Sequence, residues 1–175
     1  MHRELTNNWE PVDIKYSKIK MIILFFILYY VTEYCIESIG VNLNKVSIFQ
    51  KLICAIGIIV FHEGTHFIIG VSFGKNRGKF HIGFIPKKMA FYANVDGTYN
   101  FFTLILYTVL PFCIITILLG AVMYKYSILN PILWIIVFYN SFMSVSDLYQ
   151  LIYIIKNYSL SNKFKLSEFV LYYRK

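Results

Sequence analysis

Residues 101–123 read FFTLILYTVLPFCIITILLGAVM, a stretch without a single charged side chain. A helix of about 20 apolar residues is long enough to cross the hydrocarbon core of a bilayer, which is about 30 Å thick. The stretch therefore predicts a membrane-spanning helix, with a kink at Pro111 because proline cannot continue the helical hydrogen bonds. We compare the length and apolar character of the other segments with those of this one.

Three further segments have the length and the apolar character of a span: Ile19–Ile39, Val46–Phe73 and Ile128–Ile155. Across the 175 residues, 58% are hydrophobic and 15% are charged, whereas soluble domains carry about 25% charged residues. This composition excludes a disordered chain, a nucleic-acid-binding arm and most soluble enzymes. It predicts an all-α membrane protein with about four transmembrane helices, whose partner is the lipid bilayer and not nucleic acid.

The basic residues set the expected orientation. Of the 17 lysines and arginines, 14 lie in the N-terminal segment, the loop after the second span and the C-terminal end, and 3 lie elsewhere. With four spans, those three segments fall on one side, which we expect to be the cytoplasm. The sequence thus predicts a multi-pass protein of the cell membrane with both termini cytoplasmic. Its parts are a cytoplasmic segment (1–18), a four-span domain (19–156) and a basic cytoplasmic tail (157–175).

The loop between the second and third spans does not have a helical pattern. Residues 78–85 and 89–95 alternate roughly between apolar and polar side chains, and Pro86-Lys87-Lys88 separates them. This pattern predicts a small β-hairpin at the cytoplasmic face.

The tail is polar and basic, but four of its apolar residues share one helical face: Leu166, Phe169, Val170 and Tyr173. We expect the tail to be either a helix on the membrane surface or a frayed terminus.

The residues that indicate chemistry are 62–66, which read HEGTH. On a helix, His62 and His66 lie one turn apart on the same face, so both imidazoles can bind one metal ion. Glu63 then projects beside that ion, where a carboxylate can accept a proton from water. Inserting an ionised side chain at mid-membrane costs about 2.5–3.5 kcal/mol of free energy. A cluster of ionisable residues there is therefore expected to have a structural or functional role. The alternative is a polar patch that joins helices by hydrogen bonds.

A catalytic zinc ion needs a third protein ligand and one open position. Apart from Glu63, the acids within the predicted spans are Glu33, Glu37 and Asp147. The motif and Asp147 both lie roughly 15 Å from the cytoplasmic ends of their spans, at 1.5 Å per helical residue. Asp147 is therefore the expected ligand, with Glu33 as the second choice, because Glu37 lies at the membrane boundary.

Asn140 and Ser144 precede Asp147 at helical spacing and extend a polar stripe along an otherwise apolar span. Such a stripe is expected to face other helices rather than lipid. Asn140 or Ser144 could orient a metal ligand, although both could instead make helix–helix hydrogen bonds.

Four segments together resemble the bacterial "putative zincin peptidase" membrane family, formerly a domain of unknown function: HEGTHFIIG, YANVDG, YTVLPF and NSFMSVSDLY. The family is similar in plan to site-2 proteases, which are zinc-dependent intramembrane peptidases. The resemblance covers about Ile53 to Ile155. It implies one zinc ion bound by His62, His66 and Asp147, with Glu63 as the general base and acid. Ser146 departs from the pattern, since the family favours glycine before the aspartate.

The expected function is hydrolysis of a peptide bond in a membrane or membrane-associated substrate. Two alternatives remain open at this point. Two histidines and a carboxylate also suit non-haem iron, and an accessory or immunity-type membrane protein could carry the motif without activity. The sequence names no substrate and leaves an oligomer open.

Overall fold

A computed structural model describes residues 9–14, 17–75, 78–85, 90–167 and 170–174 of the chain. These residues are mostly helical and also form two small antiparallel sheets. The predicted all-α class is therefore corrected to a mostly helical fold with short strands, since the prediction contained only one hairpin.

The helices account for the apolar segments of the sequence. They are α1 (Lys18–Ser38), α2 (Ile48–Phe73), α3 (Phe101–Pro111), α4 (Leu119–Lys125), α5 (Pro131–Met143) and α6 (Val145–Asn157). A π-helical segment, Phe112–Leu118, joins α3 to α4 without a break. Within the described part of the chain, three helices are long and apolar enough to cross a membrane, namely α1, α2 and the continuous Phe101–Lys125. The pair α5 and α6 makes a fourth if it is counted as one span.

The predicted fourth span is bent by 45° between α5 and α6. Two serine hydroxyls bond back to the helix at this place: Ser141 Oγ donates to the Val137 carbonyl at 2.9 Å, and Ser144 Oγ donates to the Asn140 carbonyl at 2.8 Å. Serine side chains that bond to the preceding turn commonly bend helices. The bend makes Val145 the start of a new helix.

The chain divides into two compact units. The first contains residues 1–15, 63–108 and 151–175, and the second contains residues 16–62 and 109–150. In the second unit, α1, α4 and α5 pack around an apolar cluster of Ile36, Met123, Trp134 and Val137. Trp134 also donates its indole N–H to the carbonyl of Ile128 at 2.9 Å, which closes the turn before α5.

The first unit contains the strands β1 (Glu10–Pro11), β2 (Phe80–Ile85), β3 (Ala90–Val95), β4 (Gly97–Asn100), β5 (Lys163–Ser167) and β6 (Val170–Arg174). Strands β2 and β3 pair antiparallel, Phe80 opposite Val95, in the segment where the sequence indicated a hairpin. The other four form one sheet in the order β1-β6-β5-β4. Residues 86–88, the predicted turn, lie outside the described part of the chain.

The prediction for the tail is wrong in both of its forms, because the tail contributes β5 and β6 to this sheet. Phe164 is buried completely and Leu166 is 6% exposed, while Lys163 is exposed. Alternate residues are thus buried, which is the period of a strand and not that of a helix. The helical face inferred from the sequence included Phe169, which lies outside the described residues.

Candidate metal centre

The motif HEGTH lies in the middle of α2, a continuous helix. His62 is 2% exposed and His66 is 6% exposed, although α2 is apolar along most of its length. Residues four apart on a helix lie on the same face, so the two imidazoles are neighbours. Buried polar rings of this kind need hydrogen-bond partners, and each ring has one through its Nδ1 atom.

His62 lies between two side chains of the bent pair. Its Nδ1 is 2.9 Å from Asn140 Oδ1, and its Nε2 is 2.9 Å from Asp147 Oδ2. Asp147 lies in the first turn of α6, where the positive end of the helix dipole favours a carboxylate. The bend at Ser144 creates that helix start, so the local break in the span also stabilises the charge of Asp147.

The orientation of the Asn140 amide determines which nitrogen of His62 carries a proton. Asn140 is completely buried, and its Nδ2 donates to the Pro111 carbonyl at 3.2 Å and to Thr116 Oγ1 at 2.9 Å. A carbonyl oxygen only accepts, so the amide nitrogen faces Pro111 and the amide oxygen faces His62. Nδ1 of His62 is therefore a donor, and Nε2, which faces Asp147, is the ring nitrogen that would bind a metal.

The same argument applies to His66. Its Nδ1 lies 2.7 Å from the backbone carbonyl of Tyr107, and its ring packs against the Tyr107 ring at a centroid distance of 5.0 Å. Because the carbonyl cannot donate, Nδ1 carries the hydrogen. Nε2 is again the nitrogen with the lone pair, as in metal sites where the ligand histidine donates its other N–H to a carbonyl.

One potential ligand atom from each of His62, His66 and Asp147 lies within 4.8 Å of the other two. Two ligand atoms about 2.1 Å from one tetrahedral ion lie about 3.4 Å apart. The separations between the three groups therefore exceed those of a zinc-bound set by at most about 1.4 Å.

The chemistry of these groups also fits a metal ion. His62 Nε2 and Asp147 Oδ2, at 2.9 Å, would present lone pairs to each other and repel unless a proton or a cation lies between them. Two imidazoles and one carboxylate are a known ligand set of catalytic zinc, which leaves a fourth position open. The residues present therefore fit the ion that the sequence predicted.

The other candidates have different positions. Glu63 is half-buried and follows His62 directly on α2. Ser144 uses its hydroxyl to bond the Asn140 carbonyl, so it shapes the bend of the helix. Glu33 accepts a hydrogen bond from the Tyr29 hydroxyl at 2.8 Å and is not in the metal-ligating group found among the described residues.

Sequence reasoning missed two groups behind the histidines: the Tyr107 carbonyl, which contacts His66, and the Thr116 hydroxyl, which accepts from Asn140. The available signal was Pro111, since a proline removes the N–H that would pair with the carbonyl four residues earlier. From the sequence alone, Pro111 predicts only a kink. Four residues before it stands Tyr107, whose carbonyl binds His66.

A comparison with protein families agrees with this geometry. The family model described as "Putative zincin peptidase" matches residues 55–159, more than half of the chain. The matched region includes His62, Glu63, His66 and Asp147. No curated protein and no solved structure matches the chain. From the length of the family match, the chain belongs to the family described as "Putative zincin peptidase".

Proposed function

We propose that this protein is a zinc-dependent, membrane-embedded peptidase that hydrolyses a peptide bond of a membrane or membrane-associated protein. The observation that carries the proposal is the approach of His62, His66 and Asp147 to within 4.8 Å of one another. Membership of a family described as zincin peptidases supports the same chemistry.

The metal ligands in this proposal are Nε2 of His62, Nε2 of His66 and a carboxylate oxygen of Asp147. Asn140 and the Tyr107 carbonyl hold the two rings by their Nδ1–H groups. A zinc ion bound there supplies a Lewis acid for the scissile carbonyl and lowers the pKa of a bound water toward 7. The fixed imidazoles need no tautomeric change before they bind, which favours a preorganised site.

Glu63 is the proposed general base and general acid. Its carboxylate accepts a proton from the attacking water as the water oxygen bonds to the scissile carbonyl carbon. The same carboxyl group then gives that proton to the nitrogen of the leaving amine as the C–N bond breaks. The position of Glu63 directly after His62 on α2 supports this role.

In this function the site lies within the bilayer and opens to the cytoplasmic side. The helices α1, α2 and Phe101–Lys125 are long and apolar enough to span a membrane. The excess of lysine and arginine in the terminal segments and in the loop after α2 favours cytoplasmic termini. Reporter fusions at both ends of the chain test this orientation, and an external C-terminus would contradict it.

The first test measures bound metal in the full chain, purified in mild detergent, by elemental mass spectrometry. We expect one zinc per chain in the wild type and in Glu63→Gln, and a loss of zinc in His66→Gln and Asp147→Asn. Asp13→Asn is the matched control, because Asp13 is exposed and far in sequence from the motif. Stoichiometric iron would contradict the zinc assignment, and absence of metal from the wild type would contradict the site.

The second test measures hydrolysis. The zinc-loaded wild type and Glu63→Gln are incubated with a peptide library prepared from bacterial membrane proteins, and new peptide ends are identified by mass spectrometry. We expect new ends with the wild type alone, because Glu63→Gln retains the ligands but has no carboxylate to accept the proton. The same set of ends in both samples would refute the role of Glu63.

A further inference from the structure

Pro111 stands at the residue where α3 changes to π-helical geometry. Proline has no N–H, so the carbonyl of Tyr107, four residues earlier, lacks its usual α-helical donor. In the structure this carbonyl accepts a hydrogen bond from Nδ1 of His66 at 2.7 Å. The carbonyl oxygen that loses its α-helical donor to Pro111 is thus the same oxygen that contacts His66, a proposed metal ligand.

The same turn also supports the second histidine. The Pro111 carbonyl accepts from Asn140 Nδ2 at 3.2 Å, and Thr116, within the π-helical segment, accepts from the same nitrogen at 2.9 Å. A π-helical turn has i→i+5 bonds and is wider than an α-helical turn. Asn140 in turn fixes the Nδ1 of His62 at 2.9 Å. The Tyr107 carbonyl thus contacts Nδ1 of His66, and the Pro111 carbonyl orients the amide that contacts Nδ1 of His62.

We propose that Pro111 is a positioning residue of the metal centre: because it has no N–H to donate to the Tyr107 carbonyl, that carbonyl holds His66 as the Nδ1–H tautomer, with Nε2 as the nitrogen that would bind the metal. This inference rests on the proposed function for the identity of the metal. It does not rest on the metal for the tautomer, which is a property of the chain itself.

Restoring the missing N–H is the direct perturbation. In Pro111→Ala, the amide of residue 111 competes with His66 for the Tyr107 carbonyl. Alanine is the better helix former, so the helix is expected to form. His66 then loses its fixed partner. Loss of such a partner from a ligand histidine typically weakens metal binding about 10- to 100-fold.

Two readouts separate this role from a general structural one. Nitrogen NMR of the metal-free, histidine-labelled chain in detergent reports which ring nitrogen carries hydrogen. Zinc affinity is measured on the same samples by competition with a chelator. Pro131→Ala is the matched control, since Pro131 occupies the first turn of α5, where no helical donor is lost.

We expect a single Nδ1–H form of His66 in the wild type and in Pro131→Ala, and a mixture of tautomers with weaker zinc binding in Pro111→Ala. Because Pro111 is completely buried, Pro111→Val is a second variant that restores the amide and retains most of the volume. An unchanged His66 tautomer in both folded variants would overturn the inference. If the wild type bound no zinc, the proposed function would fail, while the tautomer measurement would still decide the role of Pro111.

Discussion

Replacing Asn140 by leucine tests whether the metal centre depends on its buried amide. The side chain makes three hydrogen bonds, one with His62, one with the Pro111 carbonyl and one with Thr116. Leucine has nearly the same size and makes none of them. The substitution therefore removes polar contacts without opening a large cavity.

The expected loss can be estimated from these bonds. Hydrogen bonds between membrane helices average about 0.6 kcal/mol each, so three contribute about 2 kcal/mol. The His62 N–H left without its acceptor adds about 1–3 kcal/mol if no water replaces Asn140. We expect the metal-free chain to lose about 2 kcal/mol of unfolding free energy if water replaces the amide and about 3–5 kcal/mol if it does not. Zinc affinity should fall about 10- to 100-fold, because His62 is no longer held in one tautomer.

Unfolding by titration with a denaturing detergent measures the first quantity, and chelator competition measures the second. Asn157→Leu is the control: its amide donates to the Tyr153 carbonyl at an exposed position of α6, where substitutions usually change stability by less than about 0.5 kcal/mol. An Asn140→Leu chain with the zinc affinity of the wild type would refute the argument that this amide positions His62.

Two further predictions concern the first unit. A Cβ added at Gly70 would lie 3.0 Å from the Val95 side chain, whereas one at Gly64 meets nothing within 4 Å among the described residues. Gly70→Ala should therefore lower the free energy of unfolding by about 1–3 kcal/mol through overpacking, whereas Gly64→Ala should leave it unchanged or raise it. Equal unfolding midpoints for the two variants would contradict this. The hydrogen bond from the Tyr173 hydroxyl to the Glu10 carboxylate raises the pKa of Tyr173, so the stability it contributes is complete below the ordinary tyrosine pKa and is lost as pH rises through the raised value. Difference absorbance titration against Tyr173→Phe should show ionisation above pH of about 10, and a transition at or below that value would refute the effect.

Much of the fold follows from apolar length. The segments Ile19–Ile39, Val46–Phe73 and Phe101–Met123 correspond closely to helices of the structure, because a span requires a long uninterrupted run of apolar residues. The bend at Ser144 was not predicted, since serine back-bonding depends on side-chain rotamers that a hydropathy pattern does not contain. The sheet was missed because β5 has few residues, and because its partner β4 is distant in the sequence.

The candidate site was partly readable. Two histidines at helical spacing indicated one metal face, and a comparison of depths selected Asp147, which the structure places 2.9 Å from His62. The groups behind the ligands were less accessible. Every residue has a backbone carbonyl, so the sequence does not distinguish that of Tyr107 from the others. Its role could be inferred only from the proline four positions later, together with a three-dimensional contact to His66.

The 45° bend has a mechanical consequence for His62. The imidazole contacts Asn140, which precedes the bend, and Asp147, which follows it. A change in the angle between α5 and α6 therefore changes the distance between these two contacts. A force on α6 is transmitted to the ring, and a variant in which α5 and α6 form one straight helix would lose one of the two contacts.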